Sequence, residues 1–137
     1  MAILSLMKPR LILVLSLAFL AGCSTAKQAG KSAAPETVLV TYHVKSGSEA
    51  DFELVLKEAW QVYRREHLVY AEPHVIVRGK DKGDKPKLVE IFTWIDGKTP
   101  DDPPAAVKEA WDKMMPLCEG RDGYGPLEID VVETVVN

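Results

Sequence analysis

Five residues carry side chains that could combine into chemistry: His43, His74, Arg78, Glu90 and Trp94. Imidazoles and a carboxylate can pass protons or hold a divalent ion, a guanidinium can clamp an anion, and an indole offers a flat apolar plate. His43, His74 and Glu90 lack the short spacing of a metal-ligand motif, so the five are read as a small-molecule-binding cluster, with no metal or other cofactor assigned. Arg78 is expected to pair with Glu90, Glu128 or Asp130. Cys118 keeps helical spacing with Val107, Ala110, Trp111 and Met114, which makes it a small core hydrophobe rather than a nucleophile. No glycine-rich phosphate loop, Gly-x-Ser-x-Gly elbow or His-Glu-x-x-His helix is present. No catalytic residue and no reaction can be named from these groups alone.

The chain that must position them has 137 residues, 47% hydrophobic and 27% charged, which suits one globular unit. Seventeen basic against twenty acidic residues give a net charge of −3, and no basic run exceeds Arg64-Arg65. A nucleic-acid binder would cluster its positive charge, so that class is excluded. Two cysteines, Cys23 and Cys118, build neither a disulfide framework nor a four-cysteine zinc site.

Hydropathy period sets the elements. Residues 37–45 are β-branched and aromatic, a strand. Gly47 breaks it, and Ser48 with Asp51 opens a helix whose stripe is Phe52, Val55, Leu56, Ala59, Trp60 and Tyr63, ending near His67, placed to cap its carbonyls. Residues 74–78 form a second strand, 79–86 a polar hairpin tip and 87–96 a third strand. Asp102 before Pro103 starts a second helix, which Pro116 ends or kinks. Residues 127–135 form a fourth strand. The order β-α-β-β-α-β is the ferredoxin-like α+β fold, a four-stranded antiparallel sheet with two helices on one face.

Alternation then divides the sheet. Val38, Val40, Tyr42, Val75, Val77, Val89, Ile91, Thr93, Leu127, Ile129 and Val131 are assigned to the helix-covered face. Leu39, His43, His74, Ile76, Arg78, Leu88, Glu90, Phe92 and Trp94 are assigned to the open face. All five candidate site residues therefore share the open face, whose apolar groups call for a partner or a ligand.

Ahead of the domain, Lys8 and Arg10 precede the apolar run Leu11–Leu20, too short to span a bilayer and shaped like a secretory signal. It ends in Leu20-Ala21-Gly22-Cys23, which resembles the lipobox of bacterial lipoprotein precursors. That resemblance implies cleavage before Cys23, acylation of its thiol and amine, and a membrane anchor in the cell envelope. Ser24, where an inner-membrane retention signal would place Asp, points to the outer membrane. The chain then divides into a signal peptide at 1–22, a tether at 23–36 without a large apolar side chain, and a domain at 37–137.

The strand-turn-helix Val44–Phe52 and the third strand Val89-Glu90-Ile91-Phe92-Thr93-Trp94, with the element order, resemble the dimeric α/β-barrel superfamily, particularly the antibiotic-biosynthesis-monooxygenase-like domains. The resemblance implies a homodimer in which two sheets meet face to face, with a ligand in the lumen or a flanking cleft. The reading is an envelope module that binds a small molecule in the barrel lumen, with a cofactor-free monooxygenase-like enzyme or a purely structural dimer as the alternatives. A haem-degrading branch of that superfamily uses Asn, Trp and His. Trp94 matches the Trp, but the only Asn is Asn137 and the second helix has no His.

Overall fold

The β-branched run at the start of the domain forms a central strand, β1 (Glu36–His43), and the amphipathic stripe after Gly47 forms α1 (Glu49–Arg65). The computed structural model describes residues 33–135. The expected signal peptide, Cys23 and nearly all of the expected tether fall outside the described residues. Next come β2 (Val69–Lys80), β3 (Pro86–Trp94), α2 (Ala105–Met114) and β4 (Leu127–Val131). The sheet is wholly antiparallel in the order β2-β3-β1-β4, so the expected ferredoxin-like topology is present.

Boundaries shift for local reasons. Ser48 caps α1 without a side-chain bond, and Glu49 instead accepts the Gly47 N–H through its carboxylate at 2.7 Å. At the other end His67 takes φ +56°, and its backbone N–H, not its ring, reaches the Arg64 carbonyl. β2 begins five residues before the expected start, with an irregularity between Val69 and His74 and a cis Glu72–Pro73 bond. Asp102 does not cap α2: Pro104 stands at the N-cap, its carbonyl accepting from Val107 and Lys108. Pro116 does end the helix, in a single 3-10 turn. β4 stops at Val131, four residues short of the expected end.

Register overturns part of the face assignment. Val38 lies opposite Phe92, Val40 opposite Glu90 and Tyr42 opposite Leu88, so each pair points the same way. His74 faces Phe92, Ile76 faces Glu90 and Arg78 faces Leu88. The helix-covered side therefore carries Val38, Val40, Tyr42, Leu88, Glu90, Phe92 and Trp94, all buried, against Phe52, Leu56, Ala59, Tyr63, Val107 and Met114. The β1 and β4 assignments stand; those of β2 and β3 are reversed. The open side presents Leu39, Val75, Val77, Val89 and Ile91 among Thr37, Thr41 and Thr93. Val75 and Val77 are 46% and 51% exposed. It is an apolar face, built by Leu39 as expected but by other β2 and β3 residues than the expected ones.

A candidate cavity between sheet and helices

Four of the five candidate residues, His74, Arg78, Glu90 and Trp94, share the helix-covered side; His43 lies on the opposite side, toward Thr41 and Glu128. The single-cluster expectation is corrected accordingly. Alternation placed β3 by its carboxylate, whereas the register with β1 puts that carboxylate inside.

Glu90 is fully buried at 0% exposure. A buried carboxylate needs donors, and two reach it. The Tyr42 hydroxyl donates to Oε2 at 2.9 Å, and His74 Nε2 donates to Oε1 at 2.9 Å. The His74 ring stacks on Trp60 of α1, centroids 3.5 Å apart, which fixes the imidazole plane. Burial first, and the neighbouring Glu90 charge second, push the Tyr42 phenol well above its ordinary range, so it stays a neutral donor. His74 also lines a groove of about 590 Å³ with Trp60, Lys57, Ile76 and Arg78. Arg78 does not pair with Glu90, Glu128 or Asp130; it makes two bonds to Glu53 of α1, at 2.5 and 2.7 Å, on the surface.

His43 belongs to a second polar cluster. Its Nδ1 lies 2.7 Å from Asp81 Oδ2, and its Nε2 2.7 Å from Glu128 Oε1. Arg121, 6% exposed, joins Asp81, Glu119, the Pro86 carbonyl and the Val44 carbonyl. The cluster ties the β2–β3 hairpin tip, the end of β1 and β4 together. Burial alone would raise the Asp81 carboxyl, but hydrogen bonds from Lys87, His43 and Arg121 outweigh it and hold it below its ordinary value. Arg121 and Asp81 sit in turns, and nothing in their sequence context marked them. His43 and Glu90 stand on opposite faces, and no group of three or more His, Cys, Asp or Glu among the described residues is arranged to hold a metal.

Between β1, β4, α2 and the loop after β3 lies a cavity of about 480 Å³. That volume falls within the range of small-molecule sites. Its walls include Tyr42, Tyr63, Phe92, Trp94 and Trp111, with Met114 at the end of α2 and Cys118 just beyond it. Tyr63 accepts the Trp111 indole N–H at 2.6 Å, so two of the wall's polar atoms satisfy each other. Trp94 packs on Tyr63 and Phe92, with centroids 5.1 and 5.0 Å apart. Trp94 is thus the one candidate residue that lines this cavity. Tyr63 and Trp111 had shown only the helical spacing of core residues, because a cavity wall and a core share that pattern. Burial pushes the Cys118 thiol up to about 11, against the weaker pull of Arg121 and Lys45, so it stays an uncharged wall group.

No family model matches this chain, and no curated protein does. Solved structures do. The cofactor-independent oxygenase SnoaB from Streptomyces nogalater superposes with a TM-score of 0.54 at 18% identity, covering 77% of this chain and 97% of that one. A protein of Caulobacter crescentus CB15 assigned to the antibiotic biosynthesis monooxygenases gives 0.52 at 16%, covering 77% and 93%. A conserved protein from Methanosarcina mazei Go1 gives 0.53 at 13%, covering 74% and 94%. At these identities the likeness concerns architecture: the chain has the ferredoxin-like fold of antibiotic-biosynthesis-monooxygenase-like proteins.

Proposed function

We propose that this is an envelope lipoprotein, anchored through Cys23, whose domain binds a small, largely apolar molecule in the cavity between sheet and helices. The observation that carries the ligand reading is that cavity of about 480 Å³ with five aromatic walls. An apolar concavity of this size with aromatic walls and a few polar groups at its rim is the usual make-up of a small-molecule seat. The seat therefore moves from the expected lumen to the flanking cleft within one protomer. Homodimerisation through the open sheet face remains part of the proposal, supported by the bare aliphatic strip from Leu39 to Val77.

Titration with the neutral fluorophore N-phenyl-1-naphthylamine tests the seat. Saturable binding at one site per chain is expected, with quenching of Trp94 and Trp111 and loss of binding in Ile129→Trp, which fills the cavity from its exposed wall. Unsaturable binding, or binding unchanged in Ile129→Trp with a native circular dichroism spectrum, would refute it.

A second reading, cofactor-free oxygenation, is favoured by the shared fold with a cofactor-independent oxygenase. Enzyme-dependent oxygen uptake in the presence of a readily oxidised hydroxyarene would support it. A trace no faster than buffer across several such compounds would leave binding alone.

A further inference from the structure

The cavity's lining is one-sided in charge. Among the described residues, Glu36, Asp101 and Asp112 are its only carboxylates, and no Lys, Arg or His lines it. Asp101 and Asp112 are exposed and Glu36 half-buried, so the three stand at the rim over the aromatic walls. None of the three has an ion-pair partner among the described residues. Two cations that act on Cys118 are engaged elsewhere. Lys45 donates to the Pro116 carbonyl, and Arg121, almost fully buried, is held by Asp81, Glu119 and two carbonyls. Both act at the Cys118 end of the space, whereas Glu36 opens β1 at the other end.

The walls reinforce the rim. Tyr42 commits its hydroxyl hydrogen to Glu90, and Trp111 its indole hydrogen to the Tyr63 oxygen, so their ring faces are what they offer a ligand. Ring faces carry negative potential and attract cations, Trp most strongly. An anion would meet aromatic rings and three carboxylates, and the described lining residues include no cation to receive it. The chain's net charge of −3 adds a long-range term of the same sign.

From this lining we infer that the cavity selects a planar aromatic bearing a positive charge, an aryl-alkyl ammonium compound, and rejects aromatic acids. The ring system lies among Tyr63, Phe92, Trp94 and Trp111, and the ammonium group stays at the rim, hydrated and facing Glu36, Asp101 and Asp112. The inference rests on the cavity being a small-molecule seat: without the aromatic enclosure the rim carboxylates would mark nothing.

Three probes with one ring system test it by tryptophan quenching: 2-naphthylmethylammonium, 2-naphthalenemethanol and 2-naphthoate. The ammonium compound is expected to bind at least about tenfold tighter than the carboxylate, with the alcohol between them, and added salt should narrow the gap. In Glu36→Gln/Asp101→Asn/Asp112→Asn the ratio of cation to anion affinity should fall toward one. The single exposed changes Asp101→Asn and Asp112→Asn should each lower it about two- to threefold, which keeps the test alive if the triple variant fails to fold. Equal affinities in the wild type, or a ratio unmoved by neutralising the rim, would overturn the charge selection while leaving the seat in place. If none of the three probes saturates, the seat itself is refuted, and the selection falls with it.

Discussion

Glu90 is the residue on which the interior turns. Removing a partner from a buried charge network leaves orphaned groups, and here those would be the Tyr42 hydroxyl and the His74 ring. Glu90→Ala should therefore lose about 3 kcal/mol of stability in urea unfolding, and Glu90→Gln, which keeps an acceptor for one of them, about half as much. A loss below about 0.5 kcal/mol for Glu90→Ala would show that water replaces the carboxylate. Asp81 makes a pH-dependent prediction. Its carboxyl is held below its ordinary value in the folded state, so its contribution is whole above the unfolded value, near pH 4, and fades as pH falls toward the folded one. Asp81→Asn should cost about 2 kcal/mol at pH 7 and progressively less below about pH 4, read from unfolding midpoints across pH. A pH-independent difference would contradict this. His43, His74, Glu90 and Trp94 could be picked out from their types alone. Their partners could not, because Tyr42, Trp60 and Arg121 act through geometry that neither spacing nor composition displays.

Among the elements, the sheet's two faces decide what the molecule can meet. Helix period and the turn residues located α1, α2 and the four strands, since burying one stripe per helix leaves a strong signal. Alternation also placed β1 and β4 correctly. It failed on β2 and β3, which are rich in aliphatics on both sides: Val89 and Ile91 look as buried as Leu88 and Phe92. The polar Glu90 then tipped the choice the wrong way, because a satisfied buried carboxylate violates the simple pattern. With the faces assigned by register, the dimer proposal acquires a specific test. Ile91→Arg sets a charge in the middle of the open strip and should weaken self-association on the order of 100-fold in analytical ultracentrifugation, with the monomer fold intact. Trp94, now known to sit beneath the helices, is the wrong probe for that interface. A wild-type domain that stays monomeric at high concentration would contradict the proposal.

For the whole molecule, the anchor and the cavity are assigned to different parts of the chain, and each has its own test. Cys23→Ala should leave the precursor uncleaved and unlabelled by an alkyne palmitate analogue, while the isolated 33–135 region keeps its cavity. Normal cleavage of that variant would remove the anchor from the proposal. The place where the tether joins the domain adds a consequence. Ala33 donates its N–H to Asp96, and the Ala34 carbonyl accepts from Gly97, so the incoming chain is fastened to the loop after β3. Gly97 and Glu36 belong to the rim of the cavity. Ten peptide steps separate Cys23 from Ala33, at most about 35 Å of contour at the extended limit. A lipid-anchored chain would thus hold its opening on a short leash, never farther from the bilayer surface than that contour plus the width of the rim. Molecules that dissolve in the lipid would then be in reach by lateral diffusion, without crossing the aqueous space as free solutes.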